Sequence, residues 1–176
     1  RSGTAFNESQ RMALFSDSSF EKQESQEGGA KGLEAARSIA LLSYRSFRGY
    51  GITQSECDEN KIFAERACSY QRYQGKKLRD RFDAYSYYYL TKSIDSHNSG
   101  RGRGGVTAAL STVSAKTLII GIDSDVLFPV EEQEFLAESI REGVLEVIRS
   151  DFGHDGFLLE WQSIENRIKK HIKFLN

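Results

Sequence analysis

Cysteine is scarce in this sequence of 176 residues, and neither basic nor acidic residues are in excess. Cys57 and Cys68 are the two cysteines, too few for a disulfide framework and not in a metal-holding spacing. Both read as free thiols in a reducing compartment, so a cytoplasmic location is expected. No apolar run approaches the roughly 18 residues of a membrane span, and no signal-peptide pattern opens the chain, so no membrane partner is expected. The balance of 24 basic against 25 acidic residues leaves −1, which argues against nucleic acid as a partner. Histidine is sparse at three residues. The first residues are Arg1-Ser2-Gly3 rather than methionine, as in a processed or cleaved polypeptide. What is present, 39% hydrophobic and 28% charged residues, suits about one domain with a real core.

Charge and texture both change along the chain. Residues 1–110 hold 17 basic and 13 acidic side chains, and residues 111–176 hold 7 and 12. The first part reads as helices and polar loops. Glu21–Lys31 is a loop by composition, and a strong helix follows, with Leu33, Ala36, Ala40, Leu41 and Tyr44 on one apolar face. Arg37 falls on that face too. Gly49 to Asn60 reads as loop, then Phe63–Leu78 and Arg81–Asp95 as helices. The tyrosines of these two helices recur at core-like spacing. Arg101–Gly105 (RGRGG) is loop, and one short copy without interleaved aromatics does not make an RNA-binding segment.

The second part alternates strands and helices. Lys116–Ile122 is a short, almost wholly apolar run, as expected of a strand buried on both faces of a parallel sheet. Pro129, Glu131 and Glu132 open a helix that should turn Phe135, Leu136 and Ile140 inward. Val144–Ile148 is a second strand. After the loop Ser150–Gly156 comes a last helix with Trp161, Ile164, Ile168, Ile172 and Leu175 on one stripe. This order predicts an α/β fold with a parallel sheet.

His154 stands out among the histidines. It lies in a glycine-flanked loop after a buried strand, where open α/β sheets place ligands and catalytic groups. His97 and His171 look solvated. Asp123 and Asp125 end the other strand, and either could reach the same sheet edge. An acid after one strand and a histidine after the next match the last two members of a Ser…Asp…His triad. Asp125 could equally cap the following helix. No serine or cysteine has glycine two residues before and two after it, so a nucleophile elbow is missing. Arg37, on an apolar helix face, needs a partner, either an internal acid or a carboxylate on a substrate.

The segments GLEAARSIALLSYRS (Gly32–Ser46), SYQRYQGKKLRDRFDAYSYYYLTKSID (Ser69–Asp95), IGIDSDVLFP (Ile120–Pro129) and SDFGHDGFLLE (Ser150–Glu160) resemble homoserine O-acetyltransferases. FNESQRMAL (Phe6–Leu14) is similar to that family as well. The resemblance implies the C-terminal part of an α/β-hydrolase fold, with parallel strands, flanking helices and a helical cap. On that basis residues 1–105 are the cap and 106–176 the last strands and helices of the core. The serine-bearing part lies outside the chain.

The resemblance also implies roles. Asp125, before VLFP, matches the triad acid and His154 the triad base. Asp155 matches a residue that holds the amino group of homoserine. Arg37 matches an arginine that binds substrate, and Tyr44 a tyrosine lining the same pocket. The implied reaction moves acetyl from acetyl-CoA, as co-substrate, to the hydroxyl of L-homoserine in methionine biosynthesis. It uses no bound cofactor and no metal, in a homodimer paired through the cap. A succinyl donor, serine as acceptor, simple ester hydrolysis and a non-catalytic fragment are the alternatives.

Overall fold

A computed structural model describes residues 2–22 and 28–173. Its helices are α1 (Ser2–Phe15), α2 (Ser18–Lys22), α3 (Ala30–Tyr44), α4 (Phe47–Gln54), α5 (Arg66–Arg79) and α6 (Ala84–Ser96). There follow α7 (Val106–Ser111), strand β1 (Thr117–Ile122), α8 (Val130–Ser139) and strand β2 (Gly143–Ile148). A 3-10 turn (Gly153–Asp155), α9 (Gly156–Leu159) and α10 (Trp161–Lys173) complete the order. The chain divides into two units, Arg1–Ser43 with Tyr50–His97, and Tyr44–Gly49 with Asn98–Asn176.

The first unit is helical. Leu14, Phe20, Leu33, Ala36, Leu78 and Ala84 form its core, with Phe82, Tyr85, Tyr87 and Tyr88 against them. Gly32 lets α3 approach α1 closely, since a Cβ there would lie 2.8 Å from Leu14 Cα. The Asp17 carboxylate accepts from the Lys31 and Gly32 amides, both at 3.0 Å, which satisfies donors in the first turn of α3. Arg11 is a buried cation, its guanidinium 2.6 Å from Glu8 and 2.7 Å from Asp95, and it ties α1 to the end of α6. The tyrosine spacing is borne out in part: Tyr85, Tyr87 and Tyr88 pack on the core, with the Phe20 and Tyr85 rings stacked at 4.8 Å, whereas Tyr73 and Tyr89 are exposed.

The second unit carries the sheet. β1 and β2 pair in parallel, Thr117 opposite Gly143 and Ile122 opposite Ile148, with α8 packed on both. Strand, helix, strand, helix is the order expected. Ile119, Ile122, Ile140 and Ile148 are buried.

Several local expectations need correction. A helix, α4, occupies part of the stretch read as loop after Gly49, and α7 was not foreseen. The strands are apolar but not buried on both faces, for Val144 and Val147 are 47% and 40% exposed. With two strands paired and α8 as the principal layer on them, the apolar run exceeds what the described residues cover. Phe135, expected inward, is 39% exposed. Of the expected Glu21–Lys31 loop, residues 23–27 lie outside the described residues, as does Leu175. No described helix is long and apolar enough to cross a membrane.

Candidate active site

Because β1 and β2 are parallel and in register, their carboxyl ends lie side by side. The chain leaves β1 through Asp123-Ser124-Asp125 and β2 through the turn that begins at Ser150. Side chains stitch these exits together. The Ser150 amide donates to Asp123 Oδ1 at 2.9 Å. Ser124 Oγ donates to the Ser150 carbonyl at 2.6 Å and accepts from the Gly153 amide at 3.0 Å. Asp123, one of two candidates by spacing, therefore has a structural task.

Asp125 faces the histidine. Its Oδ2 lies 2.8 Å from His154 Nδ1, while Oδ1 accepts from the amides of Leu127 at 2.8 Å and Phe128 at 3.0 Å. It does not cap α8, whose N-cap position is Pro129; it closes the turn before that helix. Burial opposes ionisation of Asp125, but the bonds from His154, Phe128 and Leu127 outweigh it and hold the carboxyl below the usual carboxylate range. An ionised carboxylate only accepts, so Nδ1 carries the shared proton, and in the neutral imidazole that leaves the lone pair on Nε2. That is the arrangement a general base requires.

Rings surround the imidazole. Tyr44, Phe128 and Phe157 stand tilted to it with centroids at 5.5, 5.2 and 5.3 Å. A cleft of ≈ 290 Å³ borders His154, Asp125, Phe128 and Phe157. A larger one, ≈ 500 Å³, lies at the amino ends of the strands, where Glu146 pairs with Arg167 and Lys170. His171, expected to be solvated, is half-buried in its wall. Position on the sheet singles out the smaller cleft as the candidate site, since it lies at the carboxyl ends of the strands.

Asp155 is not an isolated anion. Its Oδ2 lies 2.6 Å from Arg45 Nε, with both side chains about one-fifth exposed (21% for Arg45, 20% for Asp155). Arg37 is half-buried on α3 in the helical unit, whereas Tyr44, the last residue of α3, groups with the strands. The structure thus gathers Asp125, His154, Tyr44 and Asp155 in one unit and leaves Arg37 in the other. Sequence reasoning missed Arg45, Ser124, Phe128 and Phe157. Ser124 and Phe128 lie near Asp125 in the segment Ile120–Pro129, Phe157 follows His154 in Ser150–Glu160, and Arg45 directly follows Tyr44. Among the described residues, no three of His, Cys, Asp and Glu gather to hold a metal ion.

No protein-family model matches the chain. Curated proteins do. The homoserine O-acetyltransferase of Cyclobacterium marinum is 46% identical over 164 residues, covering 93% of this chain and 46% of that protein. The solved homoserine O-acetyltransferase of Staphylococcus aureus is 30% identical, with a TM-score of 0.72, covering 99% of this chain and 46% of that one. Esterase E22 shares the fold at a TM-score of 0.80 with 17% identity, covering 96% of this chain and 50% of its own. The chain spans about half the length of the curated relatives it matches. By its sequence the chain is homologous to just under half the length of the homoserine O-acetyltransferases, and it shares their α/β-hydrolase fold.

Proposed function

We propose that the protein is an O-acyltransferase that moves acetyl from acetyl-CoA to the hydroxyl of L-homoserine. The observation that carries this is the 2.8 Å contact between Asp125 and His154, with Nε2 left to accept a proton. The identity to homoserine O-acetyltransferases supports the choice of substrates. The nucleophile is a serine on polypeptide outside these 176 residues, consistent with relatives about twice as long.

His154 takes the serine proton as the hydroxyl attacks the thioester carbonyl, and the imidazolium returns that proton to the leaving thiolate. Asp125 fixes the tautomer and stabilises the cation. Homoserine then repeats the sequence: its hydroxyl loses a proton to His154 and attacks the acyl-enzyme. Arg37 takes the amino acid's carboxylate and Tyr44 lines the pocket. Asp155 offers its remaining oxygen to the ammonium group. No metal or bound cofactor takes part. The helical cap is residues 1–105, and the exposed Tyr89, Leu90 and Ile94 on α6 support pairing of two caps as a cytoplasmic homodimer.

The test is thiol release from acetyl-CoA by the product of the complete reading frame, with and without L-homoserine. Release that depends on homoserine is expected. Release without any acceptor would mark a hydrolase, the reading that the esterase-like fold favours second. Release from succinyl-CoA alone, or acceptance of serine, would correct the substrates and keep the chemistry. No release from either thioester would remove the reading.

A further inference from the structure

The strand ends that carry Asp125 and His154 meet a third piece of chain from about a hundred residues earlier. Tyr44–Gly49 joins α3 to α4, yet it groups with Asn98–Asn176. Its contacts run along the whole histidine loop. The Tyr44 ring lies 5.5 Å from the His154 ring. Arg45 Nε lies 2.6 Å from Asp155 Oδ2. Ser46 Oγ donates to the Asp151 carbonyl and accepts from the Gly49 amide at 2.9 Å. Arg48 Nη1 reaches Asp151 Oδ1 at 3.3 Å. Backbone meets backbone as well, for a Cβ on Gly153 would lie 2.7 Å from Ser46 N and 3.0 Å from Tyr44 O.

We infer that Tyr44–Gly49 is a strap that positions the acid–base histidine, and that Arg45 is a positioning residue acting on His154 through Asp155. This rests on the acid–base reading of the Asp125–His154 pair. His154 and Asp155 are consecutive residues of a three-residue 3-10 turn, an element with little rigidity of its own. Asp125 is held from its own side by the Leu127 and Phe128 amides, so it cannot follow if that turn rocks. The contact that opposes the rocking is the Arg45–Asp155 ion pair, at 2.6 Å and largely shielded from water. Displacement of the base by about 1 Å can lower a rate by about a hundredfold.

The experiment compares Arg45→Met and Arg45→Lys with the unaltered protein, made from the complete reading frame. Two quantities are read: the far-downfield proton NMR signal of His154 Nδ1–H bonded to Asp125, and kcat and KM for thiol release from acetyl-CoA. Arg45→Met is expected to lose or broaden the signal and to lower kcat about 10- to 100-fold at unchanged KM for acetyl-CoA. Arg45→Lys, which keeps the charge, restores most of both. If Arg45→Met does not fold, Ser46→Ala carries the same readouts, since it releases the Asp151 carbonyl. A folded variant with a lowered unfolding midpoint but with signal and kcat intact would show a merely structural role and overturn the inference. Absence of the signal from the unaltered protein would overturn it too. The signal does not depend on what is acylated. Its loss in Arg45→Met of a protein inert toward acetyl-CoA would uphold the strap and remove the acyl-transfer reading instead.

Discussion

Replacing Gly153 by alanine tests whether the histidine loop is held as tightly as its contacts indicate. Gly153 has φ +64°, in the left-handed region, and its α-carbon faces the backbone of residues 44–46. The conformation alone costs an alanine about 1–2 kcal/mol. The added carbon would lie 2.7 Å from Ser46 N and 3.0 Å from both Arg45 C and Tyr44 O. Those are backbone atoms and cannot swing aside like the end of a long side chain. Crowding of that kind adds about 1–3 kcal/mol. The total expected is a loss of about 2–5 kcal/mol, read as a lower urea midpoint at unchanged slope. Gly51→Ala is the control. Gly51 lies inside α4 with nothing within 4 Å of an added Cβ, and alanine there should stabilise by about 0.5–1 kcal/mol. A loss below about 1 kcal/mol for Gly153→Ala would refute the close approach of strap and loop.

Asp125→Asn should lower kcat for thiol release by about 10⁴-fold. An amide cannot accept from both turn amides and from Nδ1–H with one oxygen, so the imidazole takes the wrong tautomer or the turn opens. A loss under about tenfold, or roughly 1.4 kcal/mol of barrier, would show that Asp125 does not orient the base. Asp125 also predicts acid sensitivity. Its folded carboxyl titrates below its unfolded value, so the unfolded chain takes up the proton first. Stability should fall as pH drops below about 4, and Asp125→Asn should flatten that dependence in urea titrations at several pH values. An equally steep curve in the variant would place the acid sensitivity elsewhere. In the helical unit, Arg11→Ala leaves Glu8 and the mostly buried Asp95 without their cation and should destabilise by about 3–5 kcal/mol. A change under about 0.5 kcal/mol in the same urea assay would mean that water compensates the two carboxylates.

Local patterning determined a good part of this molecule. The apolar run ending in Asp123-Ser124-Asp125 and the strand before Ser150 are legible because side-chain period and turn residues are short-range properties. Parallel pairing of two such strands puts their exits at one edge, which is why an acid of the pair Asp123 and Asp125 could be placed beside His154 from spacing. The 2.8 Å contact of Asp125 with His154 lies at that shared edge. The choice of Asp125 over Asp123 came from the motif around it, and the structure shows the physical difference: Asp123 bonds the Ser150 amide, and Asp125 the imidazole.

Other features had no local signal. Gly49 and Gly51 suggested a loop, but Gly49 sits in a helix, where its lack of a side chain admits Asp151 O, 3.1 Å from where a Cβ would lie. Phe135 has the spacing of an inward residue and the exposure of an outward one, because burial depends on what else packs against α8. Arg45 and Ser46 follow the end of α3 and carry no pattern of their own. Their partners Asp155 and Asp151 lie more than a hundred positions further along the chain. Periodicity states which residues share a face or an edge. Which distant segment arrives there, and which charge it brings to Asp155, is decided only when packing closes the long loop between them.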